Sequence, residues 1–229
     1  MNTRSTNCIV LFVKSPVAGK VKTRLAAEIG ADAAVGLYKC FVEDLLSMIE
    51  NLDGGLKLVF HPPEARSQLQ QWLGKQQTYN PQKGNDLGEK MKNAFADVFE
   101  EGFSKVVAIG SDSPDLPEEF LRQAFAQLDS FDAVIGPSSD GGYYLIGFSK
   151  DSFVAEAFDD IAWSTPAVCD QTRAKLESHG LTVHLLPQWH DVDRRSDLDG
   201  LVTRNKNTPF RESKTFGLIR RFESKMSES

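Results

Sequence analysis

The chain has 229 residues, 41% of them hydrophobic and 25% charged, with a formal net charge of −6. That length and apolar content suit one large domain with a full core better than two smaller ones. The acidic balance argues against general affinity for nucleic acid, which comes from surplus Lys and Arg set against phosphates. At the N-terminus, Arg4 precedes a short apolar run that Lys14 interrupts, a pattern unlike a signal peptide or a spanning helix. A cytoplasmic protein without a membrane span is therefore expected. The apolar run itself, Cys8 to Val13, reads as a buried first strand.

The next segment, Lys14-Ser15-Pro16-Val17-Ala18-Gly19-Lys20-Val21-Lys22-Thr23-Arg24-Leu25, reads as a phosphate-binding loop. A Pro/Gly turn at the carboxyl end of a parallel strand places Lys14, Lys20, Lys22 and Arg24 beside the N–H groups of a following helix. A nucleotide diphosphate fits such a place. It is not a Walker loop, because Val21 follows Gly19-Lys20 where Ser or Thr is required. A charge run usually decorates a solvated helix face; the position after a strand and a Gly turn reverses that expectation.

Val35, Tyr38, Phe41, Val42, Leu45, Met48 and Ile49 then recur at helical spacing, and Leu56 to Phe60 reads as a strand. Leu69, Trp72 and Leu73 suggest another helix. The polar segment Pro81 to Lys90 opens a further one carrying Leu87, Met91, Ala94, Phe95 and Val98, with Asp86 placed to cap it. Lys105 to Ile109 is a strand, and Pro117 suits the first turn of a helix with Phe120, Leu121, Ala124, Phe125 and Leu128. Ala133 to Ile135 and Tyr143 to Phe148 read as strands, 166–178 as a helix, and Leu181 to Leu186 as a strand. Strands alternating with helices imply an α/β fold with a mostly parallel, doubly wound sheet. From Thr203 the chain turns polar and basic. It offers a last helix through Phe216, Leu218, Ile219 and Phe222, with Ser224 to Ser229 expected to fray. Cys8, Cys40 and Cys169 lie far apart and odd in number, so reduced thiols are expected.

Ligands bind outside the carboxyl ends of the strands in such sheets, which gives weight to acidic residues there. Asp112 and Asp115 follow Ile109, Asp140 follows Ile135, and Asp191 and Asp193 follow Leu186. Together they could converge on Mg²⁺, which needs only one or two carboxylates when water and phosphate complete its shell. Each also has a plainer reading. Asp112 and Asp115 flank Pro114 before a helix and could be turn or cap residues, although the strand-end position favours Asp112 as a ligand. Asp197 is expected only to support the first turn of the helix after Asp193. Asp140-Gly141-Gly142 could be a hairpin turn, or a place where backbone and the neighbouring Tyr143-Tyr144 rings approach a ligand. Trp163 could wall an acceptor site or fill the core. His190 beside the acidic run is weak evidence for a base, and no Gly-x-Ser-x-Gly elbow is present.

Five segments in order carry a resemblance. They are Lys14-x-Pro16-x-x-Gly19-x-x-Lys22-Thr23-Arg24-Leu25, Asp86-Leu87-Gly88-Glu89-Lys90-Met91, Gly110-Ser111-Asp112-Ser113-Pro114-Asp115-Leu116, Gly136-Pro137-x-x-Asp140-Gly141-Gly142-Tyr143-Tyr144-Leu145-x-Gly147 and Asp191-Val192-Asp193. From about residue 7 to residue 202 the chain resembles the DUF2064 family of glycosyltransferase-like proteins, within the nucleotide-diphospho-sugar transferase (GT-A) superfamily. The resemblance implies a three-layer α/β/α sandwich formed by a single domain, with residues 203–229 as a basic extension. It gives the first loop, with Lys14, Gly19, Lys20, Lys22 and Arg24, to the nucleotide and sets Asp112 at the metal-binding acidic motif; the residues themselves add Asp86 and Gly88 as nucleotide or phosphate candidates and Gly141, Gly142, Tyr143 and Trp163 as substrate candidates. Asp112 and Asp193 would hold Mg²⁺ or Mn²⁺, and Asp140 would meet the sugar or an acceptor hydroxyl, in the role of a base. Two departures stand out: Asp112-Ser113-Pro114-Asp115 is not a plain Asp-x-Asp, and Arg194-Arg195 replaces the usual Thr-Pro after Asp193.

The leading expectation is metal-dependent glycosyl transfer from a nucleotide-diphosphate sugar to a small-molecule acceptor. Nucleotidyl transfer to a small phosphorylated substrate, as in guanylyltransferases with a similar Lys-Thr-Arg-Leu loop, is the alternative enzyme. A non-catalytic nucleotide-binding domain is the third reading.

Overall fold

The computed structural model describes residues 6–227. Its elements follow in the order β1 (Asn7–Lys14), α1 (Thr23–Ile29), α2 (Ala31–Ile49), β2 (Gly55–His61), α3 (Arg66–Leu73), β3 (Thr78–Pro81), α4 (Leu87–Glu100) and β4 (Lys105–Ile109). The second half comprises α5 (Glu118–Gln127), β5 (Ala133–Pro137), β6 (Tyr143–Ser149), α6 (Val168–Ser178), β7 (Val183–Leu185), α7 (Arg195–Arg204) and α8 (Lys214–Ser227).

The strands form one seven-stranded sheet in the order β3-β2-β1-β4-β6-β5-β7. All pairs are parallel except those of β6, which runs antiparallel to both β4 and β5. Periodicity does not reveal the direction of β6. The connection from Pro137 to Tyr143 does, because a parallel return needs a dozen or more residues and this link is a hairpin.

Alternation along β1 divides the core. Ile9, Leu11 and Val13 pack under Tyr38, Val42 and Leu45 of α2, Leu69 of α3 and Leu121 of α5. Cys8 and Val10 face the opposite layer, where α4 supplies Met91, Phe95 and Val98 and α6 supplies Leu176. A strand covered on both faces has to be apolar at every position, which explains the unbroken run at Cys8 to Val13. The result is the expected α/β/α sandwich.

A third cluster lies outside α2. Leu25 of α1, Leu37 and Phe41 of α2, Val192, Leu198 and Leu201 of the α7 region, and Ile219 of α8 pack together. The C-terminal segment is thus tied into the molecule. Phe216 and Ile219 are buried as expected, and the Asp44 carboxylate accepts hydrogen bonds from Lys214 N and Thr215 N, both at 2.9 Å. The backbone of α8 continues to Ser227, and 228–229 lie outside the described residues. Two elements had no clear signal: β3 is four residues ending in Pro81, and α1 is a seven-residue helix set off from α2 by Gly30 at φ 92°.

Candidate active site

Strand order reverses at β1 and β4. From β1 the chain winds outward through β2 to β3, then α4 crosses the opposite face and returns it to β4 on the other side of β1. The carboxyl ends of β1 and β4 therefore flank the crevice where doubly wound sheets bind ligands. Tyr38 of α2 pins both ends: its hydroxyl accepts from Lys14 N at 2.7 Å and lies 3.1 Å from Ser111 Oγ. Burial pushes the Tyr38 hydroxyl pKa up to about 12, so it stays protonated.

Between these ends sits Lys22. Its backbone is left-handed (φ 47°) at the start of α1, and its side chain is 2% exposed. The ammonium lies 2.5 Å from Asp112 Oδ1 and 3.0 Å from Asp193 Oδ1, and 5.6 Å from the centre of the Phe41 ring. Burial opposes its charge, but Asp112 and Asp193 outweigh that and raise its pKa above the ordinary lysine value. Desolvation likewise opposes ionisation of Asp112. The charge and hydrogen bond of Lys22, with the more distant field of Lys14, still hold its pKa below the usual carboxylate range. The loop carrying Asp193 is fastened by Val192 N, which donates to Asp112 O at 2.9 Å. Asp197 accepts from Asp193 N at 3.0 Å and Arg194 N at 2.8 Å, the first-turn support expected of it.

The structure thus joins Lys22, Asp112 and Asp193, with Arg24 Nη1 4.0 Å from Asp193 Oδ2. Lys14, Lys20 and Gly19 are exposed on the same loop, Gly19 at φ 75°. Lys22 is thus not a solvent-facing cation, and its charge is already engaged by two carboxylates. The helix expected after the loop is α1, which is seven residues long.

Asp115 has a different fate from Asp112. Its side chain is 1% exposed and accepts from Arg204 Nε (2.6 Å), Arg204 Nη2 (2.8 Å), Asn205 Nδ2 (2.6 Å) and Trp189 Nε1 (3.4 Å). It is a structural anchor for the end of α7. Arg204, which falls in the segment read from sequence as polar and basic, is its partner.

The remaining expected site residues also take part in caps, packing and turns. Asp86 caps α4 by accepting from Glu89 N at 2.8 Å, the plainer of its two readings. Gly88 is buried where a Cβ would come within 2.6 Å of Phe158 O and 3.0 Å of Trp163 Nε1, so close packing accounts for it. Trp163 and Tyr143 stack edge to face at 6.5 Å against the α4/α6 layer. Asp140 closes the β5–β6 hairpin: its Oδ1 accepts from Gly142 N at 2.9 Å and contacts Ser138 Oγ. Gly141 (φ 90°) lets the hairpin touch Pro166, where a Cβ would fall 2.1 Å from the carbonyl oxygen. Gly142 is less crowded: a Cβ there would lie 3.2 Å from Asp140 Oδ1.

Asp191 is a site residue that sequence reasoning weighed only within a group. It accepts from Ser113 Oγ at 2.6 Å. Burial above all, against that hydrogen bond and Lys22 but aided by Asp112 and Asp140, pushes its pKa up to about 6. Beside it lies an open depression of about 500 Å³ lined by Ser139, His190, Ser196, Gly200 and Arg204 among others.

Among the described residues no three His, Cys, Asp or Glu converge to hold a metal by themselves. Asp112 and Asp193 are nonetheless 48% and 41% exposed, so both carboxylates can be reached from solvent, although the Oδ1 atom of each is engaged by Lys22. Two hard carboxylates open to solvent beside a cationic loop fit Mg²⁺ or Mn²⁺ when water and phosphate supply the rest.

The family model "Uncharacterized protein conserved in bacteria (DUF2064)" matches residues 45–165. A crystal structure from Desulfovibrio desulfuricans G20, described as a "putative nucleotide-diphospho-sugar transferase", is 44% identical over 96% of both chains, with a TM-score of 0.93. The chain belongs to the DUF2064 family. Its fold is shared more widely. The 4-diphosphocytidyl-2C-methyl-D-erythritol synthase of Anaerococcus prevotii DSM 20548 superposes on this DUF2064 chain at TM-score 0.57 and 10% identity, covering 89% of it and 100% of the synthase. The inositol-1-phosphate CTP transferase of T. maritima does so at TM-score 0.52 and 16% identity, covering 93% and 99%. At those identities the likeness concerns the fold alone. No curated protein matches the sequence. No helix among the described residues is long and apolar enough to cross a membrane.

Proposed function

We propose that this chain is a transferase acting on a nucleotide-diphosphate donor, with glycosyl transfer from a nucleotide sugar to a small acceptor as its reaction. The observation that carries this is the Lys22–Asp112–Asp193 cluster at the β1/β4 crevice. The 44% identical relative, described as a nucleotide-diphospho-sugar transferase, supports the same reading.

Lys14, Lys20 and Arg24 line the approach and would bind the diphosphate, neutralising charge that grows as the nucleoside diphosphate departs. Asp112 and Asp193 would hold Mg²⁺ or Mn²⁺, which when bound supplies Lewis-acid stabilisation of that leaving group. The depression lined by Asp191, Asp197 and Asp199 would admit the acceptor, with Asp191 as the carboxylate that would meet an incoming hydroxyl and Asp140 acting on it only through its charge. Asp140 is held in place by its own hairpin, which restricts the positions it can serve.

Incubation with a panel of labelled nucleotide sugars, and separately with nucleoside triphosphates plus small phosphorylated compounds, tests the reading. Release of nucleoside diphosphate that requires a divalent cation and falls at least a hundredfold in Asp112→Ala is expected. Pyrophosphate release from a triphosphate, without any nucleoside diphosphate from a sugar donor, would replace glycosyl transfer with nucleotidyl transfer. Absence of both products, with no thermal stabilisation by any nucleotide, refutes the enzyme reading.

A further inference from the structure

Lys22 stands where a cation bridging the two aspartates would stand. Its Nζ is 2.5 Å from Asp112 Oδ1 and 3.0 Å from Asp193 Oδ1. A Mg²⁺ ion bonds oxygen at about 2.1 Å, so it cannot share the space between those two atoms with an ammonium group. The ammonium cannot simply be pushed aside either. Its side chain is 2% exposed, and a buried charge stripped of both partners is strongly disfavoured. An anion arriving on the same loop changes that balance. Val17 to Lys20 is exposed, a Cβ at Gly19 would meet nothing within 4 Å, and Lys14 and Arg24 add positive charge nearby.

We propose that Lys22 is a resident counter-ion that keeps the divalent-cation site closed until a nucleotide diphosphate binds. The diphosphate gives the ammonium a new partner, Asp112 and Asp193 are freed, and the metal enters with the nucleotide instead of before it. The phosphate oxygens complete the metal's shell at the same moment, so the two ligands bind with positive coupling. The inference rests on the metal-assisted reading above, and it adds an order of binding that the reading does not require.

Calorimetric titration with MnCl₂ tests it on the wild-type protein, Lys22→Met and Lys22→Arg, each first shown to melt cooperatively. Lys22→Met is expected to bind Mn²⁺ alone at least tenfold more tightly than wild type, whereas Lys22→Arg, which keeps the charge, stays weak. In wild type, Mn²⁺ affinity should rise at least tenfold with one of UDP, GDP, CDP or ADP present. Should Lys22→Met not fold, the wild-type titrations decide: Mn²⁺ binding as tight alone as with each of those nucleotides overturns the proposal. Equal Mn²⁺ affinity in wild type and Lys22→Met also overturns it, while leaving the metal site intact. No Mn²⁺ binding under any condition removes the metal reading and the counter-ion role together.

Discussion

Asp112 and Asp115 lie three residues apart on one loop, yet their replacement should damage different properties. In Asp115→Ala, four accepted hydrogen bonds disappear and Arg204 loses its carboxylate. Breaking a buried pair by removing one partner costs roughly 3–5 kcal/mol. Arg204 is 22% exposed and can partly rehydrate, so the lower end, about 3 kcal/mol, is expected. For a protein of this size that lowers Tm by roughly 6–12 °C. Asp112→Asn removes a carboxylate that is 48% exposed, and Lys22 keeps Asp193, so the change in stability should stay within about 1 kcal/mol. The same substitution should abolish metal-strengthened nucleotide binding. Thermal melts followed by circular dichroism, paired with nucleotide titrations with and without Mn²⁺, read both quantities. The reasoning fails if Asp115→Ala melts with wild type, or if Asp112→Asn loses as much stability as Asp115→Ala.

Two further outcomes are expected. Gly141→Ala places a Cβ against the Pro166 carbonyl in a left-handed conformation and should cost about 2 kcal/mol or more, whereas Gly142→Ala should be much milder; equal melting temperatures would contradict the packing role assigned to Gly141. Asp191 holds its proton more tightly in the folded state, with its pKa pushed up to about 6, so its stabilising contribution is complete below about pH 4 and is lost as pH rises through that value. Asp191→Asn should therefore gain stability over wild type between about pH 4 and 7, by an amount on the order of 2–3 kcal/mol, and denaturant titrations showing a pH-independent difference would refute this.

The layered fold was legible because burial writes itself into local pattern. Cys8 to Val13 is apolar throughout since both faces of β1 are covered, and Val35 to Ile49 repeats at helical spacing since α2 lies against the sheet. The direction of β6 was less legible, because alternation looks the same in parallel and antiparallel strands. The site was legible in part. Lys22, Asp112 and Asp193 were picked out by their strand-end positions, and they do meet. Asp86, Gly88 and Tyr143 belong to motifs of the same family resemblance and Trp163 lies outside them; in the structure Asp86 caps α4, Gly88 is closely packed, and Tyr143 and Trp163 meet edge to face. Nothing in the sequence marked Tyr38 as the pin between β1 and β4, since its spacing is that of any core residue.

By itself the sequence determined the α/β class, the family, the cationic loop and the set of strand-end aspartates, because each is encoded within a short stretch of chain. Tertiary structure alone decided which of these groups share charge. Lys22 and Asp193 are separated by 171 positions, and Asp115 and Arg204 by 89. Their pairing depends on how the sheet winds and on where α7 lands after the last strand. That is why Asp112 and Asp115, equivalent as letters near one strand end, became a half-exposed partner of Lys22 and a buried anchor. The loop first read as a row of free cations instead holds one lysine already spent on two carboxylates.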